Sequence, residues 1–293
     1  MRNELKRSFF RNFLIITILL FLSSCYGSWN FWYEGNDVDY RTKNLTQITP
    51  DTDSAFAASG ISSLKGKYTV LILSDIHFGK KHKKVDCDVL YQYLERIEGS
   101  EDYPSFAICL GDAVDVGFKE QYEEYTEFCR VLQNKYHISL IFNSVGNHDI
   151  YQNNWDNWAD SCYPHTSFYK FKTNAFSWYS LDTGSGTIGQ QQYRLFMNDI
   201  KNDPRPKIIF SHYPFVRFNF NCSNLPETTE RNKLISDFAR NRVVCVLGGH
   251  NHTRTYDNLG FPDYGIPSFG YEQEWGLLYV DEDAGSVHLE YIK

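Results

Sequence analysis

The sequence predicts an α/β fold of layered mixed sheets and helices, and three observations carry that expectation. Five short, nearly continuous apolar runs have the character of strands buried on both faces: YTVLIL from Tyr68, SFAICL from Ser105, SLIFNSV from Ser139, KIIF from Lys207 and VVCVL from Val243. Helical patterns lie among them: VDCDVLYQYLERI after the first run, EQYEEYTEFCRVLQNKY after the second, and PETTERNKLISDFARN before the last, with Pro226 near its start. Hairpins join the rest. Thr166–Gly184 alternates like two paired strands and is followed by the helical GQQQYRLFMNDIKN, and the tail EWGLLYVDEDAGSVHLEYIK folds back about a turn at Asp283–Gly285. Strands that alternate with helices and then pair through hairpins belong to α/β layered folds with mixed sheets.

The chain's 293 residues, 42% apolar and 22% charged, are enough for a sizeable core, and the aromatic content of 17% is rather high. Residues 1–24 differ in kind. Arg2, Lys6, Arg7 and Arg11 precede FLIITILLFLSS, an apolar run shorter than the ~20 residues needed to span a bilayer. This is the layout of a signal peptide. It closes on Leu22, Ser23, Ser24 and Cys25, which resembles the lipobox of bacterial lipoproteins, where cleavage precedes a cysteine that is then acylated. The expected division is therefore a signal peptide at 1–24, a tether and packing segment at 25–66, and the main domain at 67–293. The expected location is outside the cytoplasm, on a membrane through a lipid on Cys25.

Removing residues 1–24 takes away four basic side chains and one acidic one, so the formal charge moves from −7 to about −10. Such a surface repels nucleic-acid polymers unless a basic groove compensates, and the only basic run, KKHKK at Lys80–Lys84, reads as a solvated loop. Of the cysteines beyond Cys25, Cys109 and Cys245 sit in strand patterns as small hydrophobes, Cys162 and Cys222 sit in loop-like stretches and could pair, and none has zinc-site spacing.

The chemistry lies at the strand ends. The first run leads into Asp75 and His77, the second into Asp112 and Asp115, the third into Asn147, His148 and Asp149, the fourth into His212, and the fifth into His250 and His252. Sites in α/β sheets form at the carboxyl ends of strands, so these residues should converge. Asp, Asn and His offer oxygen and nitrogen donors without thiolate, which suits Mn, Fe or Zn in a catalytic setting. Seven such ligands are too many for one ion that keeps an open position, so two divalent ions are expected. Five of the nine histidines fall at these ends. His82, His137, His165 and His288 are left as surface or core residues.

DxH, GDxxD, GNHD, SH and GHNH, in that order and on those elements, resemble the calcineurin-like metallophosphoesterases, and LDTGSG with the helix after it is similar to that family's middle section. The resemblance runs from about Tyr68 to the C-terminus. It implies a four-layer α/β/β/α sandwich with a binuclear metal site: Asp75, His77 and His252 on the first ion, Asn147, His212 and His250 on the second, and Asp112 bridging. It further implies a bridging hydroxide as nucleophile. His148 would face the phosphate as a donor to a phosphoryl or leaving oxygen, with Asp115 orienting its imidazole.

The family's protein serine/threonine phosphatases have arginine and glutamate where Val116 and Asp149 stand here, so the expected substrate is a small phosphoester, nucleotides and cyclic nucleotides included. Trp155, Trp158 and Arg217, in loops that follow metal-site motifs, are the expected substrate contacts. The rivals are a lipoprotein that holds metal without hydrolysis and a pseudoenzyme that only binds a phosphorylated ligand. An imidazole that is not a ligand, His148, has no use in a metal carrier.

Overall fold

The computed structural model describes residues 38–81, 84–216 and 228–293. The expected signal peptide, Cys25, the aromatic stretch Trp29–Tyr33, His82, Arg217, Phe218, Phe220 and Cys222 lie outside the described residues.

In chain order the strands are β1 (Thr46–Gln47), β2 (Lys67–Leu73), β3 (Pro104–Cys109), β4 (Ile141–Asn143), β5 (Tyr169–Lys172), β6 (Ser177–Ser180), β7 (Lys207–Phe210), β8 (Val243–Gly248), β9 (Thr255–Asn258), β10 (Pro262–Gly265), β11 (Trp275–Asp281) and β12 (Ser286–Ile292). The helices are α1 (Val38–Arg41), α2 (Ser54–Ser59), α3 (Asp88–Ile97), α4 (Lys119–Asn134), α5 (Trp155–Ser161), α6 (Gly189–Asn202), α7 (Thr228–Arg240) and α8 (Phe269–Glu272). One sheet runs β12-β11-β2-β3-β4 and the other β1-β5-β6-β7-β8-β10-β9. In the first, the parallel run β2-β3-β4 ends at the sheet edge and meets the antiparallel β11 and β12 on its other side; in the second, the parallel run β6-β7-β8-β10 is flanked by the antiparallel pairs β5-β6 and β10-β9, so both sheets are mixed.

Strand alternation sorts the side chains into layers. Val70 and Ile72 of β2 and Phe106 and Ile108 of β3 point between the sheets, where they meet Phe171, Trp178, Ile208, Phe210, Cys245 and Leu247. Their neighbours Leu71, Leu73, Ala107 and Cys109 point the other way, onto Leu90 and Leu94 of α3, Phe128 and Leu132 of α4 and Trp158 of α5. On the far side, Tyr179, Ile209 and Val246 meet Phe196 and Ile200 of α6 and Leu234 and Phe238 of α7. The result is a four-layer α/β/β/α sandwich. At its middle Phe142 stacks on Phe171 with ring centroids 4.0 Å apart, and Phe171 stacks on Trp178 at 5.5 Å. This central stack accounts for part of the high aromatic content.

The described part of the N-terminal segment is packed onto the domain. Val38, Ile48, Phe56 and Ile61 are buried. Helix α2 is fixed at both ends: Asp53 accepts from the Phe56 N–H at 2.8 Å, and Gly60 closes it in the left-handed conformation. Strand β1 pairs in parallel with β5 and extends the larger sheet by one strand. Two residues of alternation are too few to register as a strand, which is why the sequence shows this region only as a polar, turn-rich stretch.

One buried carboxyl links the fold to pH. Asp263 on β10 is buried and its Oδ1 has no hydrogen bond; burial, with the Asp257 charge across the strand pair, pushes its pKa up to about 8. Between an unfolded value near ~4 and this folded value, the folded chain keeps a proton that the unfolded chain has lost. The contribution to stability is therefore intact below pH ~4, falls as pH rises across the window, and levels off above the folded value. Asp263→Asn should flatten the wild-type decline by at most about 1.4 kcal/mol per pH unit, read by urea denaturation at pH 5 to 8. Parallel slopes for the two proteins would show that Asp263 carries no such term.

Candidate metal centre

The centre sits where strand ends of both sheets meet. β2, β3 and β4 of the five-stranded sheet deliver Asp75 and His77, Asp112, and Asn147 with His148; β7 and β8 of the larger sheet deliver His212, and His250 with His252. The loops are tied to one another through backbone. Asp75 N–H donates to Gly111 O at 3.1 Å, His77 N–H to Asp112 O at 3.0 Å, and Gly249 N–H to His212 O at 2.8 Å.

Asp75, His77, Asp112, His250 and His252 all have φ between 50° and 66°. That left-handed region is uncommon for residues with a Cβ, and such conformations cost on the order of 1–3 kcal/mol each. Five in one cluster persist only because the surrounding loops over-determine them. Close approach also explains two glycines: a Cβ on Gly146 would collide with Asp112, and one on Gly249 with Ser74 Oγ.

Each aspartate is held by one oxygen and presents the other. Asp75 Oδ2 accepts from Ser74 Oγ at 2.5 Å and from His250 N–H at 2.9 Å, which leaves Oδ1 buried with no hydrogen bond, 3.3 Å from His252 Nε2. Asp112 Oδ1 accepts from His148 N–H at 2.8 Å, and its Oδ2 lies 3.3 Å from His212 Nε2 and 3.9 Å from His77 Nε2. Potential ligand atoms gather within 4.8 Å of one another in three overlapping sets: Asp75, His77 and His252; His77, Asp112 and His148; Asp112, His212 and His250. Asp112 and His77 each belong to two of them, so the middle set links the outer two.

The donors fit cations. His212 Nδ1 lies 2.9 Å from Leu110 O, and since a carbonyl only accepts, the ring proton is there. In the neutral ring only the Nε2 lone pair is left for the centre, where Asn147 Oδ1 and Asp112 Oδ2 also present lone pairs at 3.0 and 3.3 Å. Three lone-pair donors that converge call for positive charge at their focus, and a backbone carbonyl that fixes the distal ring nitrogen is the usual support of a ligating histidine. On the other side His77 Nε2 and His252 Nε2 face each other at 3.4 Å beside the unbonded Asp75 Oδ1.

The electrostatics differ among the ligands. Burial opposes charge on Asp112, yet His212, His148 and His77 hold its pKa below the ordinary carboxylate range. Burial likewise works against a charged His212, and the Asp112, Asp75 and Asp149 carboxylates outweigh it and raise that pKa to about 9, so a cation would have to displace the Nε2 proton that these carboxylates hold there. His77 is dominated by burial and lowered to about 4, which keeps it neutral and able to ligate. Clustered Asp and His residues of this kind could hold metal ions, and their number and grouping suggest a binuclear site.

Residues 68–254 match the Calcineurin-like phosphoesterase family. The chain belongs to it. Among solved structures, this phosphoesterase is similar to a dimetal phosphatase from Danio rerio, with 13% identity and a TM-score of 0.58 over 73% of this chain and 93% of that one. It is also similar to GAP50, the anchor in the inner membrane complex of Plasmodium, with 11% identity and a TM-score of 0.51 over 78% and 90% of the two chains. At these identities the likeness is one of fold. No curated protein matches the chain. The family and the clustered donors make the protein a metal-dependent phosphoesterase.

The seven expected ligand residues come together in this phosphoesterase as the sequence implies, with His148 beside them. Asp115 is also adjacent, but the atom that meets His148 Nδ1, at 2.7 Å, is its backbone carbonyl; its carboxylate stands 3.6 Å from His77 Nδ1. The expected substrate contact at Trp158 is corrected by its burial. Trp158 is fully buried and Trp155 stacks on it at 5.1 Å, with the Arg41 guanidinium 5.6 Å above the Trp155 ring, so this pair packs α5 down. Phe215 is buried in the core under α7. Cys109, Cys162 and Cys245 are buried free thiols, and His137, His165 and His288 are exposed.

Other residues hold the ligand loops; the sequence places Asp149 at a strand end without showing its partners and gives no sign of Arg41. Asp149 is buried and accepts from the backbone N–H groups of Asp112, Gly146 and Val114 at 2.9, 2.8 and 3.3 Å, which buckles the β3 and β4 loops together; burial and the Asp112 charge push its pKa up to about 7. Arg41, outside the family match, makes a buried bidentate pair with Asp182 at 2.7 and 2.9 Å. The neighbouring Thr183 hydroxyl accepts from Tyr213 N–H at 2.9 Å, and the Tyr213 ring lies 4.0 Å from that of His250. Tyr271 covers His252 in the same manner at 4.9 Å. A distant arginine pairing with an aspartate leaves no local pattern, whereas Asp149 lies within the GNHD motif itself.

Proposed function

We propose that this phosphoesterase hydrolyses small phosphomonoesters or phosphodiesters, nucleotides or cyclic nucleotides among them, outside the cytoplasm and from a lipid anchor on Cys25. Asp75, His77 and His252 would hold one divalent ion and Asn147, His212 and His250 the other, Mn, Fe or Zn by donor type, with Asp112 Oδ2 shared between them. Such ions, when bound, supply Lewis acidity to phosphoryl oxygens and lower the pKa of water toward ~7. The protein's own residues do the rest. Asp112 and Asp75 stay ionised, their outer oxygens anchored on backbone N–H groups, so the inner oxygens keep their direction.

The observation that carries hydrolysis over metal storage is His148. Two ligand groups are complete without it, and its Nδ1–H is spent on the Asp115 carbonyl, which points Nε2 away from that contact. In its charged form that Nε2–H is the proton a departing alkoxide needs. Arg217 remains the proposed phosphate contact and the half-buried Trp155 a proposed stacking contact; the fully buried Trp158 does not.

The test is turnover by the detergent-solubilised full chain, loaded in turn with Mn, Zn, Fe and Mg, against phosphomonoesters and phosphodiesters. Hydrolysis that a chelator abolishes is expected. Metal uptake with no turnover on any ester would favour the storage reading. The anchor is separable: Cys25→Ala should move the protein from the detergent to the aqueous phase or leave it uncleaved, because acyl chains, and not the short apolar run, supply stable attachment.

A further inference from the structure

Asn147 is the weakest donor of the centre. It is a neutral amide, half-buried, and its side chain can turn about χ2 to present oxygen, nitrogen or neither to the ions; only the oxygen is a ligand. Something must hold the amide plane. Oδ1 faces His212 Nε2 at 3.0 Å, and the other end, Nδ2, donates to the phenol oxygen of Tyr151 at 3.3 Å. The ring of the same tyrosine lies 4.5 Å from that of His148, tilted by 44°. One side chain therefore touches both the amide and the phosphate-facing imidazole.

Local backbone explains how. The chain after β4 makes a short helical turn, and on a helix residues three and four apart share a face. Asn147, His148 and Tyr151 stand at those spacings. The turn breaks immediately afterward: Tyr151 itself is extended (ψ 146°), and Gln152 and Asn153 have φ of 54° and 64°. Two successive left-handed residues with side chains carry strain, and they turn the chain away just after Tyr151 has been set over the site. The core does not call for this residue, since Tyr151 is 42% exposed.

We infer that Tyr151 is a positioning residue for the metal centre, its hydroxyl holding the Asn147 amide with oxygen inward and its ring backing His148. The inference rests on the two-ion reading above and adds a residue to it. Partners of this kind typically change metal affinity by about 10–100-fold when removed. Tyr151→Phe removes only the hydroxyl, so it should weaken the ion on Asn147, His212 and His250 by about tenfold and leave the ion on Asp75, His77 and His252 at its wild-type affinity. Thermal stability of the metal-free protein should not change.

Calorimetric titration of the metal-free full chain with Mn resolves these cases. Two binding steps in wild type, with the weaker one shifted in Tyr151→Phe and the tighter one kept, support the assignment. Two unshifted steps in the variant overturn it while the two-ion reading stands; equal weakening of both steps overturns it in favour of a general structural role. A wild-type titration that shows fewer than two steps removes the two-ion reading, and the assignment with it.

Discussion

His148→Asn should retain its metal and most of its substrate affinity and lose kcat by roughly 10²–10⁴-fold on an alkyl or ribosyl phosphoester, a loss of roughly 3–5 kcal/mol of transition-state stabilisation. Asparagine removes the proton donor without filling the site or adding charge. An aryl ester leaves as a weakly basic phenolate and needs little protonation, so its loss should be much smaller. Asp115→Asn gives an internal control. Because the Asp115 backbone carbonyl, and not its carboxylate, meets His148 Nδ1, this variant keeps the contact and should fall well short of the His148→Asn defect. The measurement is kcat/KM on both ester types in wild type and both variants, with metal content checked in each. Equal losses of His148→Asn on the two esters would make the imidazole a phosphate-binding group, and an Asp115→Asn defect as large as that of His148→Asn would return the orienting role to the carboxylate.

Asp112→Asn should be the most damaging substitution at the centre. Its Oδ2 is the carboxylate oxygen facing both His212 and His77, so its charge serves both sides, whereas His77 serves one. His77→Ala should empty mainly the ion site of Asp75 and His252; Asp112→Asn should depress both. An asparagine also offers its NH2 toward the same focus, a donor where lone pairs are required. Activity should fall by at least about 10²–10³-fold, the scale of losing a principal electrostatic group. Elemental analysis after reconstitution distinguishes the two variants, and an Asp112→Asn protein that keeps one ion at full occupancy would assign Asp112 to a single site.

The layers and most of the centre were legible because both rest on local patterns. Apolar runs such as YTVLIL and VVCVL put side chains on both faces of a strand, and a strand between two other layers needs that. Each run then ended in Asp, Asn or His, and strand ends on one side of a sheet are neighbours by geometry. Expected helices match closely where amphipathic spacing is strong: Gly189–Asn202 buries Gln192, Phe196 and Ile200 at four-residue intervals. What was not legible depends on contacts between distant segments. Nothing near Arg41 marks it as the partner of Asp182, and two residues, Thr46–Gln47, cannot announce a strand. The aromatic loop misled at Trp158 for a physical reason: Trp155 and Trp158, three apart on a short helix, read equally as an exposed platform or as a packed face, and only burial distinguishes the two. Tyr151 stood in plain sight, four residues after Asn147, but its meaning required the helical turn that brings the two together.

The central claim is that one chain holds two ions at the joined strand ends and uses them on phosphoesters. Metal stoichiometry tests it most directly. Full-length protein stripped of metal, reconstituted anaerobically with Mn or Fe and freed of excess should contain about two ions per chain by elemental analysis, and hydrolysis should rise with the second ion. A protein that saturates at one ion per chain, or reaches full activity with one, would contradict the account.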